Sequence, residues 1–466
     1  MKNINYYTNN ELFLVIIIFY LLTRFLFYKA GIITDPVMIL NMWQILDLNL
    51  LKNHFLSSIY YLHIQPPLWN FIIGLMVNFF GADYSLIPTI IFFFNIIVSI
   101  ISIWFFLKIC RIFKINNYQI FLTSLIFIIL SLSYLFYENY THYTHLTTLI
   151  FLLFIYNYLK FSINFELKYE LYIYIVATSL VYLWSAYSHP LFICLIFFTI
   201  LINKYTQKIL RSFLIFIIFF FIAAAIGIKN KAEVNYFGNS TWLGFQLIQV
   251  LHKWDVDERL CVFNIKHIKK FENNFIENNI NFNNIHPSLT GKLSKWNNVG
   301  TIYISKKCTK YAMDIIIKDP INYFNKVKFN FISTHGHYSF DHGFKPKNWD
   351  KYFGFLDRIK KNSFTNSLKV RSIQTYYLLM YIFLGVMVIR SLFNISDPIQ
   401  FKFGKALSSI FLIFLWMIVL THFFAAYEHE RMRHIGHFLH SLFFIILLKE
   451  KFNLKKIFLK DYKNIY

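Results

Sequence analysis

The sequence predicts an all-α polytopic membrane protein: a bundle of about ten transmembrane helices, juxtamembrane helices beside them, and one large outer loop domain. Three observations carry this expectation. The 466-residue chain is 57% hydrophobic, with mean hydropathy +0.48. Long uncharged runs of Ile, Leu and Phe recur along it, as bilayer spans require. Its 46 Lys and Arg outnumber its 23 Asp and Glu, and the excess gathers in alternate connections between the runs. Such a charge could mark a nucleic-acid partner. The alternate placement assigns it to cytoplasmic loops instead, so a membrane-lipid partner is expected and no nucleic acid.

Taken in order, the apolar spans fall at 11–29, 84–108, 119–136, 146–161, 170–187, 189–203, 211–228, 374–392, 406–426 and 434–449. No small-residue cleavage site follows the first, which reads as a retained helix. Residues 67–81 are also apolar, but the run is short and bounded by Pro66-Pro67 and Gly81-Ala82-Asp83. That suits an interfacial or re-entrant helix. With this helix not spanning, the basic connections after Lys108, Lys160, Lys204 and Arg390 and the tail from Lys449 share the side of the N-terminus. Both termini are then cytoplasmic. The connections 137–145, 185–190 and 427–433 face outward, as do two long segments, 30–83 and 229–373.

The chain therefore divides into an N-terminal transmembrane module (1–228) containing the first outer loop 30–83, an extracytoplasmic domain (229–373) with helical patches at 302–317 and 320–331, and C-terminal helices with a cytoplasmic tail (374–466). Cys110 and Cys194 lie in or beside apolar spans. Cys261 and Cys308 share the long outer segment and can pair if it faces an oxidising compartment.

Four polar groups collect on the outer side. Asp35-Pro36 ends the first span; it is either a general base or a helix cap. Asp47 lies further along the same loop and is a weaker choice. His63-Ile-Gln65-Pro66-Pro67 leads rigidly into the short helix, so that His63 and Gln65 point polar groups at a fixed place. The turn Tyr137-Glu138-Asn139-Tyr140-Thr141-His142-Tyr143-Thr144-His145 combines an acid, two histidines and three tyrosines without a cation, a composition suited to sugars. His142 and His145 also have a helix-borne metal spacing, but interfacial His and Tyr are commoner, and no metal is expected. Finally, Glu428-His-Glu430-Arg431-Met432-Arg433 puts two arginines at the outer border. There they either grip phosphate or pair with Glu428 and Glu430.

These groups, in this order, resemble the GT-C superfamily of polyprenyl-phosphate-sugar-dependent glycosyltransferases, which includes protein O-mannosyltransferases and aminoarabinose transferases. The likeness is closer to a bacterial branch. Here its pattern reads Gln44-Ile-Leu-Asp47, Tyr61 to Asn70, Tyr137-Glu138-Asn139, Lys229-Asn230, Phe237-Gly238, Ser240-Thr-Trp242-Leu-Gly244, His286-Pro287, Trp296-Asn297-Asn298 and Glu428-His-Glu-Arg431-Met-Arg433. Met432 departs from the aromatic expected between the arginines. The second outer loop also lacks the paired acids of metal-dependent relatives, which argues against a required divalent ion.

What the resemblance implies is an inverting glycosyltransferase of the bacterial inner membrane. It would move a sugar from a lipid-linked donor to a glycan, lipid or protein hydroxyl on the outer face, with no cofactor. Asp35 would be the base, and Arg431 and Arg433 would hold the donor phosphate. His63, Gln65, Tyr137, Glu138, His142, Trp242, His286 and Glu428 would bind sugar or acceptor. The rival class is a transporter or flippase of lipid-linked or anionic solutes.

Overall fold

The structure is a computed structural model that describes residues 9–42, 44–185, 187–203, 209–251, 271–272, 286–290, 292–336, 346–353, 405–413, 415–416, 434, 438, 441–442 and 445. The described residues form helices and connecting turns, with no strand among them.

Helix α1 (Asn9–Lys29) is followed by the loop over 30–83. There α2 (Val37–Asn41), α3 (Leu48–Asn53), α4 (Phe55–Tyr60) and α5 (Leu68–Phe80) follow as short pieces. Each has a local cause. The Asp47 carboxylate accepts the Asn49 N–H and starts α3, as an N-cap does. Pro67, at φ −81° and ψ −19°, opens α5, where its missing N–H is no loss, and Gly81, at φ +91°, ends it in a conformation that favours glycine. At 13 residues, α5 is about 20 Å long and does not span a hydrocarbon core of about 30 Å. The short-helix expectation for 67–81 therefore holds.

The long helices come next: α6 (Leu86–Ile112), α7 (Asn117–Ser124), which runs into a π turn at Leu125–Ile129, α8 (Leu132–Glu138) and α9 (Thr144–Asn164). Then follow α10 (Leu167–Leu183), α11 (Leu191–Asn203) and α12 (Ile209–Val234). The centre is α9, against which α6 and α10 pack; α12 lies beside α10 and α11, and α1 beside α6 and α7. Within α9 the hydroxyls of Thr147 and Thr148 donate to carbonyls one turn back, at 3.0 and 3.1 Å, so its polar groups are satisfied in an apolar setting. The periphery is apolar and bare: Ile18, Leu22, Phe25 and Leu26 on α1, Phe93 and Ile97 on α6, and Ile218 and Phe221 on α12 are exposed. An apolar surface of that extent fits lipid, not water.

Four described helices, α1, α6, α9 and α12, are long and apolar enough to cross a membrane. The pair from α7 to α8 makes a fifth if its 56° bend lies within one span. This corrects the expectation of ten. The region 170–187 forms a helix of 17 residues, and 189–203 one of only 13. The spans expected at 374–392, 406–426 and 434–449 fall wholly or mostly outside the described residues. The expected span 119–136 is broken: a π turn shifts the register, and Ser131 restarts the helix by accepting the Tyr134 N–H at 3.3 Å.

Beyond α12 lie α13 (Leu243–Val250), a short 3₁₀ turn (Lys295–Asn297), α14 (Val299–Lys318) and α15 (Pro320–Gly336). The last two cover the helical patches read at 302–317 and 320–331. Among the described residues, Val299 and Ile302 pack with Val234 and Leu289 in a small cluster of their own. Phe245, Leu247, Ile304, Cys308 and Val327 belong to the same buried cluster as the membrane helices. Gly244 makes the crossing possible: a Cβ there would lie 2.2 Å from the Ser305 carbonyl oxygen. Cys308 is disulfide-bonded, while Cys110 and Cys194 are free thiols. Cys261 lies outside the described residues.

Candidate functional site

The break between α7 and α8 creates the first part of the site. A π turn followed by a sharp restart leaves carbonyls without helical partners. Arg24, inside the first span, supplies donors: Nη1 to the Ile129 oxygen at 2.7 Å and Nη2 to that of Ile128 at 3.2 Å. Its Nε donates to Glu138 Oε2 at 2.6 Å, and neither side chain is more than 4% exposed. The other Glu138 oxygen accepts from the Tyr20 and Ser99 hydroxyls, each at 2.7 Å. A carboxylate so deeply buried is tolerated because a guanidinium and two hydroxyls replace its water.

The network extends across the bundle. Ser99 Oγ lies 2.8 Å from His145 Nε2, and His145 Nδ1 lies 3.0 Å from His434 Nε2. Ser99 has given its single proton to Glu138, so His145 Nε2 carries the hydrogen of the second bond. The His434 ring stacks on Tyr137 at 4.4 Å between centroids. Glu428, Arg431 and Arg433 lie outside the described residues. His434, the next residue after Arg433, sits within this cluster.

The second part is a platform built by the first outer loop. Asn70 accepts the Leu46 N–H and donates to the Gln44 carbonyl, both at 2.8 Å, while the Trp69 indole donates to the Thr141 carbonyl at 3.1 Å. The Pro-Pro-Leu-Trp-Asn step thus ties the loop over 30–83 to the turn over 137–145. Before it, Tyr61–Gln65 is gripped along its backbone. Lys229 Nζ donates to the Tyr60 and Leu62 carbonyls at 2.7 and 2.8 Å, the Ser240 hydroxyl to that of Ile64 at 2.6 Å, and the Thr241 N–H to that of His63 at 3.0 Å. Asn297 accepts the His63 N–H at 2.9 Å. Segments read separately at 229–230, 240–244 and 296–298 therefore meet on one stretch of five residues.

His63 is the pin of this platform. Its Nε2 is 2.8 Å from the Asn297 carbonyl oxygen, so that nitrogen donates; Nδ1, 3.0 Å from the Thr241 hydroxyl, accepts. Burial, followed by the charge of Lys229, pulls its pKa down to about 3. Both ring nitrogens are engaged, and the ring stays neutral. A pH dependence follows. Below the ordinary value of 6.5 the unfolded chain takes up a proton that the folded protein refuses until about 3. The contribution of this group is full above that ordinary value and shrinks as pH falls, by up to about 1.4 kcal/mol per pH unit. His63→Gln is expected to flatten the melting temperature of the purified protein against pH across this window. A slope identical to that of the parent would show that His63 is not the group responsible.

The remaining residues have these places. Gln65 is buried; its Oε1 is 3.5 Å from the Tyr143 hydroxyl, and its Nε2 has no partner among the described residues. The neighbouring His142 is buried, with Nδ1 2.6 Å from the Thr144 hydroxyl, and its ring lies 3.8 Å from that of Tyr143. His142 and His145 thus turn to different partners. Trp242 is buried against Phe245. His286 is half-buried: it stacks on Tyr61 at 4.9 Å, and its Nε2 lies 2.9 Å from the Ser57 hydroxyl. Burial lowers its pKa, and His54 lowers it further.

Asp35 is half-buried, and its Oδ1 accepts the Val37 N–H at 2.9 Å. It therefore opens α2, as a cap would, through one oxygen. The segment 346–353 lies beside it: the Lys347 N–H donates to the Ile33 carbonyl at 2.9 Å, and Trp349 meets Phe136 edge-on at 5.2 Å. Asp47 is committed further, with the Tyr84 hydroxyl at 3.1 Å and Lys295 Nζ at 3.3 Å. Its charge and the burial of Tyr84 push that tyrosine up to about 12.

Arg24, Ser99 and Thr241 were not singled out from sequence, while His434 closes the outward-facing stretch that begins at Tyr427. Arg24 had a signal, since a lone cation inside an apolar span is rare and usually partnered. Ser99 and Thr241 had none, because hydroxyls are unremarkable in such helices and loops. No protein-family model, curated protein or solved structure matches this chain.

Proposed function

We propose that this chain is an integral-membrane glycosyltransferase that moves a sugar from a polyprenyl-phosphate donor to a hydroxyl of a glycan, lipid or protein. The reaction takes place on the outer face of a bacterial inner membrane. The reading rests on the order of the sequence motifs. The observation that carries it is the position of His434: the residue that follows Arg433 stacks on Tyr137 and meets His145 at 3.0 Å. His434 thereby lies beside the turn that carries Glu138. The disulfide at Cys308 favours an oxidising compartment for the large loop.

In this mechanism the acceptor oxygen attacks the anomeric carbon as the bond from that carbon to the phosphate oxygen breaks, inverting the centre. The acceptor proton goes to Asp35. Arg431 and Arg433 hold the phosphate and stabilise its growing charge. Glu138 acts indirectly, because its oxygens are taken: through Ser99 and His145 it sets the position of His434. The Gln65 amide and the Tyr143 and Tyr137 rings offer contacts to a sugar.

One observation favours the rival. The 56° break in the α7–α8 pair and the buried charges beside it are features that transporters also use. Purified full-length protein in vesicles, given labelled polyprenyl-phosphate sugars, separates the two. The expected result is transfer to an added hydroxyl acceptor, or slow hydrolysis, with release of polyprenyl phosphate. Movement of the labelled lipid between leaflets with its sugar bond intact would assign the chain to transport instead.

A further inference from the structure

A second polar site lies at the opposite end of the bundle. The N-terminal turns of α1 and the C-terminal ends of α6 and α9 enclose a cavity of about 520 Å3, lined by Asn10, Trp104, Lys108, Arg111, Tyr156 and Lys160. It cannot belong to the outer site. Helix α6 runs 27 residues from the first outer loop to this end, a distance of about 40 Å.

Its chemistry is one-sided. Among the described residues three half-buried cations line it and no carboxylate does; Glu166, near enough to feel the charge of Lys160, pairs with Lys168 at 2.6 Å. Glu11, beside Asn10 and Leu12 in the chain, is not among the lining residues. Lys108 Nζ sits 3.3 Å above the Trp104 ring centre, and the ammonium groups of Lys108 and Lys160 lie 5.8 and 5.9 Å from the ring of Tyr156. Arg111 is anchored by donating to Asn117 Oδ1 and, at 3.5 Å, to the Ile115 carbonyl. Like charges held together at a partly buried place raise the free energy unless an anion joins them. Leu12, Phe13 and Leu107 complete the lining with apolar side chains, Ile18 and Leu22 are exposed further along α1, and Trp and Tyr mark the headgroup level of a bilayer.

We propose that this cavity binds the phosphate of an anionic phospholipid headgroup from the leaflet at that end, with the acyl chains lying along the exposed apolar face of α1. Basic pockets between spans on the positively charged side of a membrane protein bind such headgroups. The proposal is independent of the glycosyltransferase reading.

The test uses the full-length protein in phosphatidylcholine nanodiscs, with retention of added lipid read by native mass spectrometry. Dioctanoyl-phosphatidylglycerol is expected to bind about tenfold more tightly than dioctanoyl-phosphatidylcholine and to weaken as salt is raised. Lys108→Gln/Lys160→Gln is expected to lose about tenfold in that affinity, and Lys108→Arg/Lys160→Arg to keep it. Equal retention of the two lipids by the parent protein would overturn the proposal, whether or not the glutamine variant folds. So would unchanged affinity in that variant. Inorganic phosphate displacing phosphatidylglycerol at equal concentration would overturn the lipid as the source of the anion.

Discussion

Glu138→Gln is expected to destabilise the folded protein by about 3–5 kcal/mol, read as denaturant or thermal unfolding in detergent. The carboxylate is fully buried and holds the Arg24 guanidinium at 2.6 Å. Glutamine keeps the shape but leaves that guanidinium charged, buried and unpaired. Its bonds to the Ile128 and Ile129 carbonyls do not neutralise it. The loss should be partly recovered in Arg24→Leu/Glu138→Leu, where no charge remains, although Tyr20 and Ser99 then lack their acceptor. A single variant as stable as the parent would mean that water reaches the pair and that it does not hold α1 to the α7–α8 break. Activity should fall as well, since the bonds through Ser99 and His145 to His434 start at this carboxylate.

Asp35→Asn should lower sugar transfer by about 10²–10⁴-fold, the range of a lost general base, with expression and donor binding intact. The structure makes this substitution informative. One oxygen of Asp35 accepts the Val37 N–H at 2.9 Å and opens α2. Asparagine caps a helix about as well as aspartate, so the local fold survives while the proton acceptor is removed. Turnover near that of the parent, measured with a labelled polyprenyl-phosphate sugar, would leave Asp35 as a cap and nothing more.

Much of the helical framework was legible because lipid and backbone impose it. A run such as 11–29 or 211–228 has no alternative to a helix in a hydrocarbon core, and α1 and α12 follow. Pro66-Pro67 and Gly81 bound α5 by backbone geometry alone. The break inside 119–136 was not legible. Neither Pro nor Gly marks it, and it persists because Arg24, more than a hundred positions away, satisfies the freed carbonyls. The same holds for His63. Its neighbours in sequence suggest a polar group offered to a ligand, yet Thr241 and Asn297 close on both ring nitrogens. The segment 229–373 read as a separate domain because it is polar and long; which of its apolar positions would join the large buried cluster, as Phe245 and Ile304 do, and which would pack apart, as Val299 and Ile302 do, was not legible.

By itself, the sequence determined which stretches are helical and apolar, where the short loop helix begins and ends, and which polar residues cluster along the chain. Those properties depend on neighbours a few positions apart. Only the tertiary structure decided that Glu138 is neutralised by Arg24, that Tyr61–Gln65 is held by three distant segments, and that His434 meets the second outer turn. Such pairings depend on how helices pack, and a buried charge takes its partner from whichever helix brings one within hydrogen-bond reach.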